Sequence, residues 1–277
     1  LSEPGAGWPA LAERWVPRLL ERWPDDVEPH APTILIALQT IVGAWPIDRR
    51  RLRDYLLKAS REAKERTSWT RQDERFEAAL ADLAGIVDDP AAAAGLDDDL
   101  QPLVRWGRRN SLTQTAVALL QPGVPDVYQG TEGEDLSLVD PDNRRPVDFE
   151  RLRAAVDVDV DDPDDPRTKA RLTAALLDLR RRRPGCFGAG PAGSYRPLAV
   201  TGPDADRVIA FARGDGVVVV ATRFPTRGAI DPATTAVLPE GRWVAVPRGA
   251  ARDGGESAVA DLLGDMPVLV LESEEVR

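Results

Sequence analysis

The sequence has a single cysteine, Cys186, a single histidine, His30, and a single methionine, Met266. One cysteine excludes an intramolecular disulfide and fits a reducing, cytoplasmic setting. One cysteine and one histidine together exclude a multi-histidine metal centre and a cysteine zinc site. A Ser-His-Asp arrangement would have to recruit His30 from a proline-rich connector, so that chemistry is not expected. No apolar run reaches the ~18 residues of a membrane span, and no basic stretch followed by an apolar one marks a signal peptide. Basic residues are in deficit, 36 against 46 acidic, giving a net charge of −10. Nucleic acid, which requires clustered Lys and Arg to displace counterions, is therefore not expected as a partner. No His-Asp dipeptide occurs anywhere. The chain begins at Leu1 rather than Met, which suggests a piece of something longer.

What is present is an ordinary globular composition, 43% hydrophobic and 30% charged over 277 residues, enough for one or two domains. Leu11, Trp15 and Leu19, four apart, predict a short helix before Pro24, with Trp15 in a core. From Thr33 to about Gln121 the pattern stays helical. Leu35, Leu38, Val42 and Trp45 form one stripe, ended by Pro46. Asp48 is placed to cap a helix bearing Leu52, Tyr55, Leu56 and Ala59. A third helix carries Phe76, Leu80 and Leu83. A loop over 88–99 is expected next, then a fourth helix, broken or bent near Gly107.

Gln121 to Asp148 has a different character. After the Pro122-Gly123 turn, Val124–Tyr128 reads as a short buried strand emptying into a carboxylate-rich loop. Parallel α/β barrels present residues to ligands in this way. The run 157–166 is acidic and contains prolines; it lacks the glycine and terminal glutamate of a calcium loop, so it reads as a solvated connector. Arg167 to Arg183 reads as a helix whose basic end suits the dipole. Beyond Pro184-Gly185 short strands are expected at 208–211, 217–221, 243–246 and 267–271, with Gly214-Asp215-Gly216 as a hairpin turn.

Three stretches carry a family likeness: QTIVGAWP (39–46), REAKERTSW (61–69), and PGVPDVYQGTE (122–132) continuing as LSLVDPDNRRPVD (136–148). Their order and composition resemble the malto-oligosyltrehalose synthases of the α-amylase clan. The family shows an Asn-Pro-Asn-like turn after Trp69, where this chain has Thr-Arg-Gln-Asp. The resemblance implies a mixed α and β fold in three parts: a helical subdomain over 1–120, the last strand, substrate loop and helix of a (β/α)8 barrel over 121–184, and an all-β sandwich over 185–277. It also implies a substrate, a malto-oligosaccharide whose reducing-end α-1,4 bond becomes an α,α-1,1 bond by intramolecular transglucosylation. The released glucose must turn while water is kept out, and the helical part is a plausible lid. The partner is then an upstream catalytic barrel of the same polypeptide, and no cofactor is implied.

A retaining glycoside-bond enzyme needs two carboxyl groups ~5–5.5 Å apart. Glu132, Glu134, Asp135, Asp140 and Asp142 crowd one loop, but nothing in their spacing selects a pair. The resemblance places the clan's three catalytic carboxylates upstream, so none is assigned here and the isolated chain is expected to be inactive. It places Arg144 at the bottom of the pocket for the −1 glucose. At the same rim Asp142 and Asn143 can accept and donate and Tyr128 can offer a ring face, while Lys64 and Trp69 are candidate acceptor-side contacts, each with a plain structural role as the alternative. Two other readings stay open: a fragment of another α-amylase-clan glucan hydrolase, and a non-catalytic glycan-binding protein.

Overall fold

A computed structural model describes residues 3–159, 162–247 and 249–274. The chain divides into two compact units, one of Leu1–Leu103 with Leu136–Pro146, the other of Val104–Asp135 with Val147–Arg277.

The first unit is helical: α1 (Gly7–Leu20), α2 (Ala31–Ala44), α3 (Arg49–Ala63), α4 (Glu74–Ala84) and the first part of α5 (Pro90–Leu120). Leu11, Trp15 and Leu19 of α1 are buried, as their spacing predicts. The Asp48 carboxylate caps α3 by accepting from the Arg51 N–H at 2.9 Å, and Asp73 caps α4 by accepting from Phe76 N–H at 3.0 Å. The face of α2 differs from the expected stripe. Ile34, Ala37, Leu38 and Ile41 point inward, whereas Leu35 is 44% exposed. The segment APTILIALQTIV is apolar on nearly every side, so its periodicity does not choose a face; packing does. The expected loop over 88–99 is also helix. Asp89 accepts from the amides of Ala91 and Ala92, Pro90 occupies the first turn, and the following alanines propagate one continuous α5 through Gly107.

The second unit is built on one antiparallel sheet of seven strands: β1 (Tyr195–Pro197), β2 (Val200–Thr201), β3 (Val208–Arg213), β4 (Val217–Thr222), β5 (Thr235–Val246), β6 (Ala251–Ala258) and β7 (Val268–Ser273). Their order is β1-β3-β4-β7-β5-β2, with β6 paired to β5. Three of the anticipated strands lie within β3, β4 and β5, and the fourth, 267–271, overlaps β7 from Val268. The two separate sheets of a sandwich are not seen among the described residues, because helices cover the face a second sheet would fill. Val217, Val219 and Ala221 face Leu112, Ala116 and Leu119 of α5 and Leu172, Leu176 and Leu179 of α7 (Thr168–Arg182). Val218 and Val220 face the other way, toward Leu238, Trp243 and the short α8 (Val259–Leu263). β4 is thus buried on both faces, which is why it reads as an unbroken valine run.

Val124–Tyr128 is not a strand. It joins no ladder among the described residues, and Val124 is 97% exposed. A parallel strand needs neighbours to take its N–H and C=O groups, and the described residues supply none. Val160 and Asp161 of the acidic connector lie outside the described residues. Beside them Asp159 pairs with Arg171, Asp164 with Arg109 and Asp165 with Arg167.

The orientation of α2 is testable. Leu38→Ala, at a side chain 1% exposed, should cost about 2–5 kcal/mol in urea unfolding, and Leu35→Ala less than about 0.5 kcal/mol. Equal losses would restore the face expected from the sequence.

Candidate functional site

The loop Leu136–Pro146 belongs to the helical unit, and α3 explains its shape. α3 carries RRRLRDYLLK, with Leu52 and Leu56 inward and cations on the remaining surface. Arg51 donates to both Asp142 oxygens, at 3.0 and 2.9 Å, and to the Leu136 carbonyl at 2.7 Å. Two turns along the same face, Lys58 Nζ donates to the Asp140 carbonyl. Asp142 also accepts from the Leu138 N–H at 2.7 Å, and Arg145 Nε approaches Oδ1 at 2.9 Å. Leu138 packs against the helical core. One carboxylate therefore closes the loop upon itself and upon α3.

Burial pushes the Asp142 carboxyl up, but hydrogen bonds from Arg51 and Leu138 and the fields of Arg51 and Arg145 outweigh it. The group is held below the ordinary aspartate value. It is an ionised acceptor, not a proton donor. Arg144, next in the loop, is 72% exposed and reaches back to Asp140 at 2.6 Å. Asn143 Oδ1 is buried without a hydrogen-bond partner. Asp142, Asn143 and Arg144 form one short 3-10 turn, which brings these three site residues together.

Lys64 and Trp69 lie at the other end of α3, Lys64 ~9 Å along the axis from Lys58. Lys64 ends the helix in the left-handed region, φ 60°, and its N–H donates to Ser60 O. Trp69 is 55% exposed, with the Arg61 guanidinium 4.9 Å from its ring centroid. Arg61 is fixed in turn by a two-pronged pair with Glu77, at 2.8 and 2.6 Å, which also accepts from the Thr67 hydroxyl at 2.6 Å. Hydrogen bonds from Arg61 hold Glu77 below its ordinary value against the effect of burial, with Thr67 adding to them. The indole thus rests on a guanidinium that cannot swing away, an arrangement suited to stacking on a sugar face.

Tyr128 belongs to the second unit and is half exposed. The acidic turn after it is consumed by structure. Glu132 folds back to accept from the Gly130 N–H at 2.8 Å, and its carbonyl takes the Thr173 hydroxyl at 3.0 Å. Glu134 is paired with Arg108 at 2.8 Å. Gly133 sits where a Cβ would stand 2.7 Å from Leu152 Cδ2, so the turn lies flat on its supporting helices. Lys169, pulled down by burial, faces Asp135, Glu134 and Glu132, which oppose that pull. His30 bridges Thr33 at 2.9 Å and Glu65 at 3.0 Å, and Thr33 is buried. Among the described residues no group of three or more His, Cys, Asp or Glu is placed to hold a metal ion.

Arg51, Lys58 and Arg108 were not among the residues singled out from the sequence. The available signal was two cations seven apart on α3, hence on one helix face, in a chain whose acidic loop lies some 85 residues downstream, a separation sequence does not bridge.

Comparison with known proteins places this architecture. The fold is that of glycosyltrehalose synthases. The synthase from Arthrobacter ramosus superposes with a TM-score of 0.82 at 35% identity, over 98% of this chain and 36% of its own. The DSM5389 glycosyltrehalose synthase gives a TM-score of 0.76 at 27% identity, over 96% and 34%. A curated Mycobacterium tuberculosis relative named as a maltooligosyl trehalose synthase is 38% identical over 252 residues, 88% of this chain. This chain is homologous to a part of the maltooligosyltrehalose synthases, and it spans about a third of the length of the curated relatives it matches, 32%. No protein-family model matches it. Among the described residues no helix is long and apolar enough to cross a membrane.

If Asp142 organises the loop, Arg51→Met, which removes both bonds to Asp142 and the bond to the Leu136 carbonyl, should speed exchange of the Leu138 amide at least about ten-fold. The pH dependence has a fixed sign. A carboxyl whose folded pKa is depressed stabilises the loop above its ordinary value near ~3.9 and stops doing so as pH falls through the folded value. The Leu138 amide resonance should therefore hold its position on acidification until below about pH 4. Asp142→Ala should displace it already at neutral pH. A midpoint above about 4.5 would contradict the arrangement.

Proposed function

We propose that this chain is the C-terminal portion of a maltooligosyltrehalose synthase, acting on malto-oligosaccharides by intramolecular transglucosylation. The observation that carries the reading is the loop around Asp142, Asn143 and Arg144, pinned to α3 within a chain that matches the synthases over 88% of its length. Residues 1–120 act as a helical cover, 121–184 as the last strand, substrate loop and helix of the barrel, and 185–277 as the terminal β domain. Val124–Tyr128 pairs as a strand once the other barrel strands supply partners. The catalytic carboxylates come from the preceding barrel, since the loop acids of this chain are engaged by Arg51, Arg108, Arg144 and the Gly130 amide.

In that assembly Arg144 faces the −1 glucosyl unit, its planar fork donating to hydroxyls or to a neighbouring carboxylate. Asp142 and Asn143 accept from and donate to sugar hydroxyls, and Tyr128 offers a ring face. Trp69 stacks on the acceptor glucose while it turns, and Lys64 donates to its hydroxyls. A reducing intracellular setting accords with the single cysteine.

Two measurements test this. The chain alone, incubated with maltopentaose, should leave the reducing ends unchanged; turnover abolished by Glu132→Gln would refute the division of labour. The Arthrobacter ramosus synthase with its matching third replaced by this chain should convert maltopentaose to a non-reducing product, and a folded chimera without that activity would sink the proposal. Within the active chimera, Arg144→Ala should lower kcat/KM roughly ten- to a hundred-fold. Arg144→Lys should rescue little, and Arg145→Ala, which removes one of several bonds to Asp142, should be milder.

A further inference from the structure

The second unit holds two arginines that no described carboxylate neutralises. Arg213, on β3, is 2% exposed, and Arg180, on α7, is half-buried against the same Phe187 ring. Their guanidinium groups flank Phe187, 5.4 and 4.5 Å from the ring centroid. Burial lowers both pKa values, and Arg213 is depressed further by Arg180. Burying the Arg213 charge beside the half-buried Arg180 is unfavourable, and hydrocarbon of similar length would fill the space at less cost. What hydrocarbon cannot do is donate. Arg180 Nη1 donates to the Leu119 carbonyl at 2.6 Å, and Arg213 Nη1 to the Leu120 carbonyl at 2.7 Å. Arg213 Nη2 donates to Gly193 O at 3.0 Å.

Leu119 and Leu120 are the last residues of α5, where carbonyls have no partner within the helix and the dipole end is negative. The chain then leaves through Gln121, Pro122 and Gly123, the last at φ 122°. Its next anchor is Val127, packed on the same core, and Tyr128 follows. From there the turn is tied by hydrogen bonds of Gly130 N–H to Glu132, Thr131 N–H to Tyr128 O and Gly133 N–H to Gly130 O.

We propose that Arg213, assisted by Arg180, is a positioning residue: by gripping the terminal carbonyls of α5 it sets where the chain enters the Tyr128–Glu134 turn. The sheet thereby does more than complete the fold; it fixes the entry to the Tyr128–Glu134 turn within its own unit. The consequence for substrate rests on the function proposed above, whereas the grip itself does not.

Residue-resolved amide exchange on the whole chain tests it with Arg213→Met and Arg213→Lys. Arg213→Met keeps a side chain of similar length without donors, so exchange at Gln121, Gly130, Thr131 and Gly133 should rise at least ten-fold. Val219 and Val270, in the centre of the sheet, should stay within two-fold. Arg213→Lys, whose ammonium cannot span both carbonyls in one plane, should give the same local pattern with an unchanged Tm. Unaltered exchange at 121–133 in either folded variant would overturn the proposal. So would acceleration spread evenly through the sheet, or failure of both variants to fold, since each marks Arg213 as a general core residue. In a separate arm, adding maltopentaose to the unaltered chain should slow exchange at Leu138. Absence of that protection would count against the substrate assignment and leave the positioning result to be read by itself.

Discussion

The Arg51–Asp142 pair is the contact on which the candidate loop depends. Its two side chains are 85–90% shielded from water, so each would be costly alone, and each is saturated: Asp142 by Arg51, Arg145 and the Leu138 amide, Arg51 additionally by the Leu136 carbonyl. A loop of eleven residues with one short turn has little hydrophobic burial of its own beyond Leu138. Its ordering entropy is offset chiefly by these charge-assisted bonds. The geometry of Asn143 and Arg144, on the same turn, follows from where Arg51 holds Asp142.

The sheet unit is governed by a different constraint. A central strand apolar on both faces must be covered twice, and the cover comes from α5 and α7 on one side and from the far strands with α8 on the other. The helical cover brings the end of α5 beside β3, where Arg180 and Arg213 meet its last carbonyls. Packing demand and loop placement are therefore coupled through the same helix terminus.

The division of roles among the carboxylates follows from these contacts. Asp142 is kept ionised, Glu132 and Glu134 shape their own turn, and Glu77 braces the guanidinium beneath Trp69. Each is an acceptor already in use. The more exposed polar and ring groups beside them are Arg144, which pairs with Asp140, Trp69, with the Arg61 guanidinium over its ring, and the half-exposed Tyr128.

Much of this was legible in the sequence. Helices α1, α3, α4 and α7 follow from the spacing of leucines and, for α3, from the cap Asp48, because those signals are local. Strands β3, β4 and β7 follow from apolar runs between glycines. The family motifs singled out Asp142, Asn143 and Arg144, three consecutive residues that form one 3-10 turn. Three things were decided only by tertiary structure. The inward face of α2 was one, since a helix apolar all round is oriented by what it packs against. The fate of Val124–Tyr128 was another, since a strand exists only where another strand accepts its hydrogen bonds. The partners of Asp142 were the third: Arg51 lies 91 positions earlier, and no local pattern encodes a contact that forms only when α3 and the loop fold against one core.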